Sequence, residues 1–194
     1  AQGSVIAELK NERNIRYLTS EEIPQTVKDA FVSIEDKRFY KHNGVDFFAL
    51  TRAVTKLINK DAITQGGSTI TQQLARNIFL THEVSWQRKV KEMFTAWEIE
   101  KMYSKDQILE FYVNNIFYAN NCYGIEAASQ KYFGKPTAEC SISEVAFLCA
   151  IPNSPSRFDP LDHKENTLTR RDVILEAMYK NDKISEEEYK DALA

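Results

Sequence analysis

The feature that most constrains this chain is its punctuation. Apolar residues recur at helical spacing, and Ser, Asp, Pro or Gly stands where each run starts or stops. Pro24 opens a run through Val27, Phe31 and Ile34 that ends near Glu35 and Asp36. Asp46 is placed to cap a second helix over residues 47–60, with Phe47, Leu50, Val54, Leu57 and Ile58 on one stripe. Gly66 and Gly67 break the chain, and Ser68 is placed to cap a third helix to about Phe79. A long helix is expected over residues 85–102. Ser104 with Gln107, and Ser141 with Glu144, read as capping boxes for helices over 105–115 and 143–151, the second stopped by Pro152. Gly124 and Gly134 mark helix ends or starts, and two further helices follow at about 167–180 and 185–193. A chain punctuated in this way folds as a mainly α domain.

Composition narrows the functional classes. With 194 residues the chain fits one domain with a real core, or at most two small ones, and its 6 Gly and 5 Pro argue against disorder or a turn-dense β fold. A formal net charge of -3 supplies no basic field, which argues against a nucleic-acid partner. Cys122, Cys140 and Cys149 are odd in number and lack CxxC spacing, so packed free thiols are expected in place of a disulfide framework or a metal site. No apolar run reaches 18 residues and no signal peptide is visible, so a membrane anchor is expected outside the chain or as an interfacial surface. Short alternation around residues 5–9 and 15–18 suggests that residues 1–19 form an extended arm.

Four segments carry more chemistry than packing requires. In Glu35-Asp36-Lys37-Arg38-Phe39-Tyr40-Lys41-His42-Asn43-Gly44, a helical run meets adjacent carboxylates, then aromatics, a His and a Gly. A carboxylate at a helix end beside aromatics loses part of its water and becomes a usable base. An ordinary solvated acidic turn with a structural His is the alternative. In Gly66-Gly67-Ser68-Thr69-Ile70-Thr71-Gln72-Gln73-Leu74-Ala75-Arg76-Asn77, residues Thr69, Gln72, Gln73 and Arg76 share one helical face. Neutral hydrogen-bonders ending in one Arg suit a polyhydroxylated, phosphate-bearing ligand, and backbone N–H groups at the Gly-Gly-Ser entrance can meet an anion. A plain polar face remains the alternative, and P-loop spacing is absent. In the third segment, Arg88, Glu92, Ala96 and Glu100 line one side of a helix, and Val90, Met93, Phe94 and Trp97 mark its packed side. Its functional reading needs Glu92 to face Glu35 across a cleft, with Arg88, Lys89 and Lys91 drawing in phosphates; ordinary i,i+4 pairing is the competing reading. The fourth, residues 108–135, carries Glu110, Tyr112, Asn114, Asn115, Tyr118 and Glu126, with aromatics at core spacing.

Together, EDKRFYKHNG, GGSTITQQLARN, RKVKE, ILEFYVNNIFY with GIEAASQKYFGK, and SEVAFLCAIPNSPSRFDP resemble the five ordered motifs of the family 51 glycosyltransferases. These are the peptidoglycan polymerases of class A penicillin-binding proteins and of monofunctional glycosyltransferases. The resemblance covers residues 23–194. It implies a lysozyme-like helical domain over residues 20–194 with a small membrane-facing jaw subdomain, and an N-terminal arm or linker from an absent membrane anchor. It implies polymerisation of lipid II into a β-1,4 glycan with inversion and release of polyprenyl pyrophosphate, at the extracytoplasmic face of a bacterial membrane.

By the same resemblance, Glu35 matches the general base acting on the acceptor's 4-hydroxyl, and Glu92 the second carboxylate near the donor pyrophosphate. Asp36, Phe39, His42, Gly44, Ser68, Thr69, Gln72, Gln73, Arg76, Asn77, Arg88 and Lys89 match substrate-binding positions. By analogy with inverting hydrolases, the two carboxyls are expected roughly 6.5–9.5 Å apart. No metal-ligand set is implied, although a divalent cation, Mg or Mn, can accompany the pyrophosphate. A nascent glycan on polyprenyl pyrophosphate, the membrane surface, and a transpeptidase domain or anchor outside this chain are the implied partners. Arg76 stands where Lys is more usual, Val84 where an Arg is expected, and Asn120-Asn121-Cys122-Tyr123 replaces a glycine-rich stretch. The stripe of residues 47–58, with Phe79, Leu80 and Trp86, can form an interfacial apolar surface edged by Arg52 and Lys56, or an ordinary core-facing helix. A lytic enzyme of the same class and a non-catalytic helical module are the rival readings; the first has no pyrophosphate to hold.

Overall fold

Helix caps set the boundaries of the fold. In the computed structural model, residues 16–58, 67–79 and 86–194 are described. They contain α1 (Gln25–Glu35), α2 (Phe47–Ile58), α3 (Ile70–Phe79), α4 (Trp86–Met102), α5 (Lys105–Asn115), α6 (Ile125–Phe133), α7 (Ile142–Ala150), α8 (Lys164–Lys180) and α9 (Glu186–Leu193). No strand occurs among them. Residues 1–15 of the arm expected over residues 1–19, the break at Gly66, and the positions of Leu80, Val84 and Ser85 lie outside the described residues.

The capping boxes expected at Ser104/Gln107 and Ser141/Glu144 both form, and a third, Ser185/Glu188, opens α9. Asp46 caps α2, its Oδ1 accepting from the N–H groups of Phe48 at 2.9 Å and Ala49 at 3.1 Å. Gly124 (φ 84) and Gly134 (φ 68) bracket α6, and Pro152 converts the end of α7 into a short 3-10 turn. The third helix starts one residue later than expected. Thr69 accepts from the Gln72 N–H at 3.1 Å while Gln72 Oε1 accepts from the Thr69 N–H at 2.9 Å, so Thr69 is the cap and not Ser68. A Gln stands three residues after Thr69 but not after Ser68, which decides between two adjacent hydroxyls.

The core has two connected parts. Helices α7 and α8 pack on each other and on α1, with α9 against α8; α3 packs on α4 and α5. Phe31 of α1 meets Tyr112 of α5 edge to face at 5.3 Å and joins the two parts. Each fully buried Leu, Ile, Val or Phe here contributes about 1.5–3 kcal/mol. Residues 17–20 lie against α5: Asn114 bonds both the N–H (3.0 Å) and the carbonyl (2.8 Å) of Leu18, as a neighbouring strand would. Tyr17 donates to Glu110 at 2.9 Å, and burial together with that carboxylate pushes its phenol up to about 12.

Helix α4 reverses the expected assignment of faces. Its buried positions are Glu92, Ala96 and Ile99, while Val90, Phe94 and Trp97, read from the sequence as the packed side, are exposed. The packed side has little apolar bulk because α4 is held there by hydrogen bonds and a close backbone approach. Gly44 (φ 87) lies so near α4 that a Cβ would stand 2.8 Å from the backbone carbonyl of Ala96. Cys122 and Cys149 are buried free thiols and Cys140 is partly buried, as expected.

Candidate active site

Glu35 is the last residue of α1, where the helix stops because Asp36 leaves helical geometry. Its Oε2 accepts from Gln73 Nε2 of α3 at 2.9 Å, and its Oε1 lies 3.7 Å from Arg170 Nη2 of α8. The amide of Gln73 is itself fixed, since Tyr112 donates to its Oε1 at 3.0 Å. Burial, then the charge of Glu35, holds the Tyr112 phenol well above its usual 10, so it stays a donor. Burial pulls the Arg170 guanidinium down while Glu35 pulls it up. Three helices thus aim one carboxylate, which retains 13% side-chain exposure and can meet a ligand.

The residues after Glu35 frame the site. Asp36 is buried, and its carboxylate contacts His42 Nε2 at 2.9 and 3.0 Å and accepts from the Ile70 N–H at 3.0 Å. It therefore lies at the N-terminus of α3, where the helix dipole favours an anion. The carbonyl of His42 accepts from Lys105 at 2.7 Å, and Lys105 also pairs with Glu100 at 2.6 Å and covers the buried Phe39 ring at 4.4 Å. Thr71 donates to the same Glu100 oxygen at 2.7 Å, so Glu100 ties α4 to α3 and α5 instead of extending a row of cleft charges. Thr69 donates to the Gly44 carbonyl at 2.6 Å. Five expected ligand-binding residues, Asp36, Phe39, His42, Thr69 and Gln72, are thus buried and engaged by the framework: Asp36 with His42 and the Ile70 N–H, Thr69 with Gln72 and the Gly44 carbonyl, and Phe39 beneath Lys105. Gly44 supplies backbone space.

Glu92 is fully buried on α4. Lys89, one turn earlier, pairs with its Oε1 and donates to Ser68 Oγ at 2.7 Å. The other oxygen, Oε2, is buried and has no hydrogen-bond partner among the described residues. Freed from capping, Ser68 serves Lys89. The two carboxylates therefore bear on opposite ends of one segment: Glu35 on Gln73, and Glu92, through Lys89, on Ser68. Arg88 is partly buried beside Lys89, Arg76 stands near enough to Tyr112 to affect its phenol, and Asn77 is exposed at the far end of α3.

The chain has known relatives. The family described as Transglycosylase matches residues 2–179. The chain belongs to that transglycosylase family. It is 41% identical to penicillin-binding protein 4 of Bacillus subtilis over 192 residues, 98% of this chain and 31% of that protein. It is 42% identical to a monofunctional glycosyltransferase of Staphylococcus epidermidis over 190 residues, 94% of this chain and 70% of that protein. The crystal structure of penicillin-binding protein 1A from Haemophilus influenzae matches with a TM-score of 0.54 at 25% identity, over 94% of this chain and 18% of that one. The mainly α fold expected from the sequence is the fold of this transglycosylase domain.

Two residues of this candidate site were not legible in the sequence. Arg170 lies on the buried stripe of α8 with Thr167, Ile174 and Met178, and an Arg at an apolar-stripe position was the available signal. Lys105 reads as an ordinary first-turn residue of α5, and no local pattern announces its contacts with Glu100 and His42.

Proposed function

We propose that this domain polymerises lipid II, with Glu35 as the general base. The observation that carries the reading is the placement of Glu35 and Glu92 at the two ends of the Ser68–Gln73 segment, one beside a neutral amide and the other beside a lysine. Glu35 takes the proton from the acceptor's 4-hydroxyl, and that oxygen attacks the anomeric carbon of the growing donor glycan. The bond to the pyrophosphate breaks on the opposite face, so the α-linked sugar becomes a β-1,4 linkage. Gln73 fixes the orientation of the base. Lys89 uses two of its three donors on Ser68 and Glu92, which leaves a charged N–H for the departing pyrophosphate. Arg88, Arg76 and Asn77 are assigned to the same anion.

A divalent cation there would find one carboxylate, Glu92, already paired with Lys89, and the described residues contain no group of three metal-ligating side chains. That donor set does not fit a dedicated cation site, and charge neutralisation is assigned to the lysine and arginines.

No described helix is long and apolar enough to cross a membrane. The work place is proposed to be the extracytoplasmic face of the bacterial membrane, where the substrate lipid lies. A membrane anchor and a transpeptidase domain are the proposed companions of this domain. The chain spans 31% of the Bacillus penicillin-binding protein it resembles, so these assignments concern the matched region.

The test is incubation of the purified domain with lipid II in detergent, followed by sizing of the glycan. Wild type is expected to give polymer and free polyprenyl pyrophosphate, and Glu35→Gln to run about 10²–10⁴-fold slower. Fragmentation of preformed glycan without polymer would replace the proposal with a lytic one.

A further inference from the structure

Where α1 ends, a polar cavity opens beside the proposed catalytic cleft. It holds about 190 Å³ and is lined by Ser33 of α1, by Lys37, and by the turn after α8 at Lys180, Asn181, Asp182 and Lys183. Ordinary small-molecule pockets have roughly 300–1,000 Å³, so this one suits a short segment of a larger, flexible ligand. Lys37 also lines the cleft that contains Glu35, Ser68 and Thr69, so the two concavities share a wall. The transfer chemistry assigned to Glu35, Gln73 and Lys89 makes no use of these residues.

The unused hydrogen-bonding capacity of the lining defines the ligand. Ser33 is 4% exposed, and its hydroxyl has no partner among the described residues; the same holds for the buried Oδ1 of Asn181. Asn181 Nδ2 donates to the Ser33 carbonyl at 3.4 Å and so holds the turn against α1. Buried polar atoms without a partner are uncommon and mark places that a ligand or water completes. Lys37 is exposed and has no ion pair among the described residues. Lys183 pairs with Asp29 at 2.9 Å and Lys180 with Glu176 at 2.6 Å, but both lysines stay open to water and keep donors for a further anion. The negative end of α8 is muted, since the Ala177 and Met178 carbonyls accept from the N–H groups of Asn181 and Lys183. Three ammonium groups thus line the cavity with one carboxylate, Asp182, and two unpartnered neutral groups. Carboxylates and backbone N–H groups together answer that lining, and an acidic peptide carries both.

We propose that this cavity receives the peptide carried by the lipid-linked sugar, its carboxylates meeting Lys37 and Lys180 and an N–H meeting Asn181 Oδ1. The inference rests on the transglycosylase reading of the cleft. In that reaction the sugar whose anomeric carbon is attacked bears its peptide on the same ring, so a peptide leaves the cleft close to Glu35. Lys37, common to cleft and cavity, places that exit. An inorganic anion such as pyrophosphate at neutral pH has no hydrogen to give Asn181 Oδ1, which separates it from a peptide. Lys37 and Lys180 are positions of specificity for the peptide and take no part in the chemistry.

The test is an NMR titration of the isotope-labelled chain with the peptide N-acetyl-L-Ala-γ-D-Glu-L-Lys-D-Ala-D-Ala. The expected result is a saturable shift of the amide signals of Asn181, Asp182 and Lys183. Amidation of both peptide carboxylates, or Lys37→Gln, should weaken binding about three- to fivefold, the worth of one partly exposed ion pair. Absence of shifts at this turn with millimolar peptide would overturn the proposal. Equal shifts with acetate or pyrophosphate would overturn it in favour of a general anion site. Kinetics supply a second readout: Lys37→Gln should raise KM for peptide-bearing lipid II about three- to fivefold more than KM for the same lipid without its peptide. Equal increases would tie Lys37 to the pyrophosphate and contradict the peptide site. Peptide binding at this turn in a chain that fails to polymerise lipid II would remove the transferase reading and leave the peptide site standing.

Discussion

In α7 every residue from Val145 to Ala150 is buried, whereas α4 buries Glu92 and exposes Val90, Phe94 and Trp97. Helix α7 follows the rule that apolar side chains leave water, and it is capped at its start by a reciprocal Ser141/Glu144 box. Helix α4 breaks that rule on both faces. Its inward side carries a carboxylate held by Lys89, and its outward side carries two aromatics, Phe94 and Trp97, more than half exposed. Local and global preferences agree along α7, where the fold is made, and disagree along α4, which carries part of the proposed site.

Truncation of each helix sharpens that contrast most strongly. Leu148→Ala in α7 should cost about 2–5 kcal/mol in chemical denaturation, because it empties a fully buried site. Phe94→Ala in α4 should stay within about 0.5 kcal/mol. Equal losses at the two positions would mean that the α4 aromatics are part of the core.

Next in size is the cation beside the proposed base, Glu35. Arg170→Ala should lower kcat/KM for glycan synthesis about 10–100-fold, and Arg170→Lys should recover part of it, since an ammonium restores charge without the planar fork. An unchanged rate would confine Arg170 to packing.

Smaller effects belong to the well-ordered side of the comparison. Glu126 is buried, and the upward push of that burial is outweighed by the Thr137 N–H and by Gln130, which hold its carboxyl below the usual 4.5. A depressed folded value means the stabilisation is complete above about pH 4.5 and disappears as pH falls through the folded value. Glu126→Gln should cost about 1–2 kcal/mol near neutrality and flatten that acid limb of the stability curve. The smallest change is at Ala119, which stands at φ 62 beside Asn120 at φ 49 and Asn121 at φ 58. Left-handed geometry strains an alanine, so Ala119→Gly should raise stability by about 0.5 kcal/mol after the unfolded chain's gain in freedom is subtracted.

The same contrast explains what the sequence discloses. Helix limits were legible wherever a cap residue and its partner lie within one turn, as at Ser104, Ser141, Asp46 and Gly134, because the interaction is local. The faces of α4 were misread because amphipathic spacing assumes that charge points to water, and Glu92 violates the assumption. Asp36 and His42 stand out in the sequence as polar residues in a dense motif, yet only the fold shows that they face each other at the start of α3. Arg170 reaches Glu35 across 135 residues of chain, a separation that no periodicity encodes.

The central claim is that buried Glu92 is kept for chemistry and contributes little to stability. Glu92→Gln preserves the shape of the side chain and leaves Lys89, which is 36% exposed, able to reach water. The deciding measurement follows the melting temperature of this variant and its rate of glycan synthesis from lipid II on the same preparation. The account predicts a melting temperature within about 3 °C of wild type with synthesis reduced about 100-fold or more. A variant that synthesises glycan at the wild-type rate, or one whose activity and melting temperature collapse together, would contradict it.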